Sequence, residues 1–232
     1  MVTAVPFPIR QTCRTLLTTA LLLCASQVSA TLITSDVVST FDSSLEGWRL
    51  SVPRGTERVF HSSSVGNPAG SAYFVDGRGG GNGMIRAPSA YHGDWSQVHE
   101  LTFEHRILVL GGEPRIETQW SVDIAGPGGS ARFLSDPTVV LPSVDNWVRV
   151  VVPLEESMWR PRLGFTTWEA LISDVNRLDI EIEQVVNSNP LSDAANRDQA
   201  AIDNVRLSVV PVPSSLLLVA VGLALAYRRI TG

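Results

Sequence analysis

Leu178-Asp179-Ile180-Glu181-Ile182-Glu183 alternates strictly between apolar residues and carboxylates. A period of two puts the apolar set on one face of a β-strand and the acidic set on the other. A helix would set Leu178 and Ile182 together and turn Ile180 to the opposite side. The segment therefore reads as a strand. Leu178, Ile180 and Ile182 face an interior, and Asp179, Glu181 and Glu183 face water or a ligand groove. On that reading, removing Glu181 costs no more than about 0.5 kcal/mol, as surface changes usually do.

The same period recurs on both sides of this stretch. Leu101, Phe103, Ile107 and Val109 share one face of a long strand, Trp120, Val122 and Ile124 mark the next, and Val148, Val150 and Val152 another. Shorter strand patterns run over Trp48–Val52, Arg58–Ser62, Ala72–Val75, Ala131–Leu134 and Ile202–Val209. Gly, Pro, Asn and Asp clusters separate them. One helix signal interrupts the strands: Thr166-Thr167-Trp168-Glu169 has the form of a capping box, and Trp168, Leu171, Ile172 and Val175 follow at helical spacing. The sum predicts an all-β jelly-roll sandwich with one short helix, over residues 31–209.

Charge narrows the partners. All 18 basic residues are arginine. Four of them (Arg10, Arg14, Arg228 and Arg229) lie at the two ends, so the middle carries 14 against 23 acidic residues, a formal −9. An acidic domain argues against nucleic acid, whose phosphates need cationic surface. Cys13 and Cys24 are the only cysteines. Both fall in the N-terminal segment, so the processed domain is expected to hold no disulfide and no thiolate metal site.

Residues 1–30 read as a signal peptide. Arg10 and Arg14 precede the apolar run Leu16–Ala25, and Val28-Ser29-Ala30 places small residues before a cleavage point after Ala30. Leu23 stands before Cys24 where a lipobox has Gly or Ala. Residues 210–229 form a Pro-containing break, an apolar stretch over Leu216–Tyr227 and a basic end. As a helix that stretch is about 18 Å long. Arg228 and Arg229 suit the cytoplasmic side of an inner membrane. This tail resembles the PEP-CTERM sorting signal of Gram-negative bacteria, with Pro211-Val212-Pro213 in place of Pro-Glu-Pro. The resemblance implies an exosortase as partner, and Val212 departs from the motif at its acidic position. A plain membrane anchor is the alternative.

Three stretches of the middle domain resemble the laminin B (laminin IV type A) domain. The first is Ala87-Pro88-Ser89-Ala90-Tyr91-His92-Gly93-Asp94-Trp95-Ser96 leading into Leu101-Thr102-Phe103. The second runs from Trp147-Val148-Arg149 through Val152-Pro153-Leu154-Glu155-Glu156 to Trp159-Arg160. The third is Ala201-Ile202-Asp203-Asn204-Val205-Arg206-Leu207, a closing strand shared with many galactose-binding-like jelly rolls. The resemblance implies an extracellular structural or interaction module without catalysis. The family's cysteines are absent here.

Candidate sites follow from residue types. Tyr91, His92 and Trp95 flank a Gly-Asp turn and form a candidate sugar-stacking platform, with core packing as the alternative. Asp42, Glu46 and Asp203 suggest a structural calcium site joining the first and closing strands, with turn formation as the alternative. No other cofactor is indicated. Glu155, Glu156, Asp179, Glu181 and Glu183 are the carboxylates from which a glycosidase pair would have to come. Asp76–Gly83 is Gly-rich and lacks the Gly-Lys-Ser/Thr ending of a phosphate loop. His61, His92, His99 and His105 show no metal-ligand spacing, and no Gly-x-Ser-x-Gly elbow occurs. These readings converge on an exported, surface-anchored or secreted module that binds extracellular polysaccharide or a surface protein. An enzyme acting on exopolysaccharide and a purely structural envelope component are the other classes.

Overall fold

The protein was studied as a computed structural model that describes residues 30–51, 58–75, 84–109, 116–136, 138–140, 147–185 and 199–210. The expected signal segment before Ala30, the Gly-rich stretch Asp76–Gly83, and the tail with Pro211, Val212, Pro213, Arg228 and Arg229 lie outside the described residues. Among the described residues no helix is long and apolar enough to cross a membrane.

Thirteen strands build two antiparallel sheets. The six-stranded sheet contains β1 (Val37–Ser39), β3 (Arg58–Ser62), β4 (Ser71–Val75), β6 (Val98–Val109), β10 (Val148–Pro153) and β13 (Gln199–Val209). Its order is β10-β6-β13-β4-β3, with β1 also paired to β13. The seven-stranded sheet contains β2 (Arg49–Leu50), β5 (Met84–Arg86), β7 (Ile116–Gly126), β8 (Gly129–Leu134), β9 (Thr138–Val140), β11 (Trp159–Pro161) and β12 (Arg177–Val185). Its order is β11-β8-β7-β12-β5-β2, with β9 on β7. This is the all-β sandwich that the alternating sequence implied.

The interior is set by the period-two faces. Leu178 and Ile180 of β12 are fully buried, as are Val122 and Ile124 of β7 and Ile85 of β5. From the other sheet Leu101 and Phe103 of β6, Val152 of β10 and Ile202, Val205 and Leu207 of β13 join the same core. Five tryptophans are buried, and edge-to-face contacts link two of them to other rings: Phe41–Trp48–Tyr91 on one side, Phe103–Trp120 in the middle. Such pairs add about 0.5–1.5 kcal/mol each beyond burial.

Strand β13 departs from simple alternation. Its pairing with β6 shifts between Asp203 and Arg206, and Asn204 has φ +49°, a left-handed conformation that Asn tolerates. One inserted residue moves the inward set from even to odd numbers, from Ala200 and Ile202 to Val205 and Leu207.

The helix, α1 (Trp168–Ile172), starts one residue later than the capping box suggests. Thr167 is the N-cap, and its hydroxyl accepts from Ala170 N at 3.1 Å. Thr166 instead donates to Gly128 O at 3.2 Å. Gly128, in the β7–β8 turn, lies under the helix, where a Cβ would stand 2.4 Å from Ala170 C and Leu171 N.

Candidate functional site: a charged cleft on the seven-stranded sheet

The outward face of the seven-stranded sheet carries a single row of charges across six strands. Strand register sets Arg49 of β2 opposite Arg86 of β5, and Arg86 opposite Asp179 of β12. Asp179 in turn faces Asp123 of β7, Asp123 faces Arg132 of β8, and Arg132 faces Arg160 of β11. Two like charges directly opposite one another destabilise a sheet. Here each central carboxylate is neutralised by the arginine on its outer side. Arg86 donates from Nε to Asp179 Oδ1 at 2.8 Å and from Nη2 to Oδ2 at 3.0 Å. Arg132 donates from Nε to Asp123 Oδ1 at 3.0 Å and from Nη2 to Glu181 Oε2 at 3.1 Å. Ser51 Oγ donates to Asp179 Oδ2 at 3.0 Å, and Ser121 Oγ to Glu181 Oε2 at 3.1 Å. The hydrogen bond from Arg86 to Asp179 outweighs desolvation and holds the guanidinium above its ordinary pKa.

Above this row lies a cleft of about 450 Å³. Arg86, Asp179, Asp123 and Arg132 floor it, Ala125 and Ser130 continue the floor, and Arg162, Leu163 and Arg177 form its rim. Leu163 is 91% exposed. Arg177 stands 3.5 Å from Asp179 through Nε, yet that nitrogen is buried without a hydrogen-bond partner.

Glu181 is therefore not the solvated surface group that alternation alone suggests. It and Asp179, which is 3% exposed, are covered by the arginines and serines of neighbouring strands. Of the other glycosidase candidates, Glu155 and Glu156 sit on exposed backbone at a 3-10 turn before β11, outside the cleft. The Glu183 side chain lies outside the described residues.

The sugar-stacking platform is corrected by burial. Tyr91 and Trp95 are each 1% exposed and belong to the core. The Tyr91 hydroxyl donates to Val205 O at 2.9 Å, and Trp95 Nε1 donates to Tyr91 O at 3.0 Å. Burial pushes the Tyr91 phenol well above its ordinary pKa. The Gly-Asp turn is the cause. Gly93 has φ +139°, and a Cβ there would meet Thr31 O at 2.3 Å. Its backbone exchanges 2.8 Å hydrogen bonds with Val175, while Asp94 pairs with Thr31 and Ile33. The turn is a staple between the start of the domain and the segment after α1, and it folds both rings inward. His92 alone stays half-buried. Burial, then Arg86 and Arg49, push its pKa down.

The calcium triad is not assembled as a ligand set. Glu46 Oε1 is taken by Phe41 N at 2.6 Å, and Asp42 Oδ2 accepts from Thr40 Oγ1 at 2.9 Å. Asp203 is fully buried and accepts from Asn67 N and Asn204 N, both at 2.7 Å. Its pKa is pushed up to about 6, chiefly by burial, with Glu104 and Asp42 adding to the rise. Among the described residues no group of three His, Cys, Asp or Glu is placed to hold a metal ion. The histidines are also dispersed. His61 Nε2 contacts Phe41 O at 2.7 Å, and His105 lies edge-on to Trp120 in the core with neither ring nitrogen hydrogen-bonded. Burial pushes His105 down to about 4.

Arg49, Arg86, Asp123, Arg132 and Arg160 were not legible as site residues in the sequence. The only signal was a single charged residue between two inward apolar ones, as in Val122-Asp123-Ile124 and Ala131-Arg132-Phe133. Register, which assembles them, is not written in any one strand.

Fold and site together define a two-sheet β-sandwich with a polar cleft on one sheet. No family model matches the sequence, and no curated protein matches it. Solved structures of similar fold are carbohydrate-binding modules. The CBM22-1 xylan-binding domain of Paenibacillus barcinonensis Xyn10C is 12% identical, with a TM-score of 0.49, covering 78% of this chain and 100% of its own. The C-terminal family 22 module of Clostridium thermocellum Xyn10B is 14% identical, with a TM-score of 0.45, over 76% and 94%. The family 11 module of Clostridium thermocellum Lic26A-Cel5E is 14% identical, with a TM-score of 0.39, over 80% and 97%. Likeness this distant concerns the fold and does not identify a ligand.

Proposed function

We propose that this chain is a non-catalytic interaction module that holds an extracellular glycan in the cleft of its seven-stranded sheet. The observation that carries the reading is the row Arg86–Asp179–Asp123–Arg132 on the cleft floor. Sugars present hydroxyls that both donate and accept. A carboxylate accepts up to about four hydrogen bonds and a guanidinium donates five, so paired groups keep capacity for a ligand. Their mutual ion pairs fix them before the ligand arrives, which lowers the ordering cost of binding. The cleft volume lies within the roughly 300–1,000 Å³ of small-ligand sites.

A glycosidase reading is less well supported. Asp179 has both oxygens on Arg86, and Asp123 is bonded to Arg132, so neither is placed as a free proton donor to a leaving group. The signal segment ending at Ala30, the tail with Pro211-Val212-Pro213 and the laminin-B-like order of motifs support a setting outside the cytoplasm. That setting has the inner membrane and an exosortase as further partners. A glycan array probed with the purified chain tests the function. Retention of oligosaccharides is expected, and it should be lost in Ala125→Trp, which fills the cleft floor, with the melting curve kept. No retention, or retention unaffected by the filled cleft, would defeat the proposal.

A further inference from the structure

The charge of the cleft is opposite to that of the domain around it. The cross-strand row holds four arginines, Arg49, Arg86, Arg132 and Arg160, against two aspartates. Arg162 and Arg177 add two more cations at the rim, whereas residues 31–209 carry a formal −9. The inner arginines are committed to Asp179, Asp123 and Glu181. The outer ones are not. Arg49, Arg160 and Arg162 are exposed and have no carboxylate partner among the described residues. Arg162 lines the cleft, and Arg49 and Arg160 stand one strand beyond its lining at either end of the row; unpaired guanidinium groups so placed are a site for carboxylates, which guanidinium binds with two parallel hydrogen bonds.

Aromatic side chains, the usual flat platforms for neutral sugar rings, do not line this cleft among the described residues. The tryptophans that would serve are in the core, with Trp147 half-buried beside β10. Binding energy here has to come from charge and hydrogen bonds.

We infer that the ligand is an acidic polysaccharide whose carboxylates meet Arg49, Arg160 and Arg162 while its hydroxyls meet the aspartates of the floor. The inference rests on the glycan-binding reading above and names its substrate class. The central Asp179–Asp123 pair calls for hydroxyl donors in the middle of the track, which each sugar of a uronate chain carries beside its carboxylate. A uronate chain alternates charged groups with neutral hydroxyls, and the row does the same with cations at both ends and acceptors at the centre.

The test uses the full-length chain and immobilised homogalacturonan and alginate oligosaccharides. Controls are the same polymers with their carboxyl groups chemically reduced to alcohols, neutral xylan, and dextran sulfate. At least tenfold weaker binding to the reduced polymers is expected, and the logarithm of the affinity for the uronates should fall linearly with log salt. The variant Arg49→Gln/Arg160→Gln/Arg162→Gln should lose at least tenfold with an unchanged melting temperature, since these side chains hold no carboxylate partner among the described residues. Equal binding to the reduced or neutral polymers would overturn the charge assignment and leave the glycan reading standing. Dextran sulfate bound as well as the uronates would also overturn it, since any polyanion would then serve. Uronate binding unchanged in the triple variant would move the site elsewhere, and binding to no glycan would defeat both readings.

Discussion

The two sheets each bury acidic side chains, and they do so in opposite ways. On the seven-stranded sheet Asp123, Asp179 and Glu181 are covered, and each is held by an arginine. On the six-stranded sheet Asp203 is covered more completely and is held by two backbone N–H groups, with Glu104 brought near through Asn67 and Asn204. Burial beside other acids pushes Asp203 up to about 6. The first arrangement presents ion-paired groups toward the cleft, and the second holds an acid whose titration is displaced toward pH 6.

The largest effect should come from removing a shared cation. Arg132→Leu leaves Asp123 and Glu181 covered without it, and breaking such a pair costs about 3–5 kcal/mol. Urea unfolding would measure the loss, and a midpoint near wild type would show that water reaches both acids. The inner face of the same neighbourhood should respond almost as strongly. Ile180→Ala is expected to cost about 2–5 kcal/mol through lost burial and a residual cavity. A mild result would break the strand assignment of β12.

The pH dependence separates the sheets. His105 has a folded pKa of about 4 against an ordinary 6.5, so its stability contribution is complete above pH 6.5 and is lost as pH falls toward 4. Asp203 has a raised folded pKa, so its contribution is present below pH 3.8 and is lost as pH rises through 6. Each is worth about 3 kcal/mol at most, at about 1.36 kcal/mol per unit. The two oppose each other between pH 4 and 6. Wild type should therefore show a shallow profile there. His105→Phe should gain stability toward acid, and Asp203→Asn should lose it. Parallel profiles for all three proteins would show that neither group is perturbed. At the bottom of the scale, Glu156→Ala removes an exposed acid with no ion pair among the described residues. It should shift stability by no more than about 0.5 kcal/mol by thermal melting.

What could be read in advance follows the same division. The inward faces of β6, β7 and β12 are local alternations, so Leu101, Phe103, Val122, Ile124, Leu178 and Ile180 were legible as core. The site was not, because it depends on register across six strands. Glu181 shows the limit most clearly. Its sequence position makes it an outward acid, and its coverage by Ser121 and Arg132 comes from other strands. That coverage raises the expected cost of Glu181→Ala from a surface value to about 1–3 kcal/mol, the penalty for stranding buried partners. Tyr91 and Trp95 failed for the complementary reason. A turn with polar residues looks exposed, and the backbone hydrogen bonds of Gly93 and Asp94 to distant segments pull it inward.

The position of β13 has a consequence for how the molecule is made. This strand runs between β6 and β4 and also pairs with β1, yet among the described residues it is the last strand to be synthesised. At roughly 5–20 residues per second, β1 waits on the order of ten seconds or more for its neighbour. Until residues 199–209 emerge, β6 and β4 each present an open edge, and the six-stranded sheet is in three pieces: β10–β6, β4–β3 and β1 alone. Assembly of that sheet is therefore a closing event that follows completion of the chain. During the interval the exposed edges are open to capture by a chaperone or by another copy.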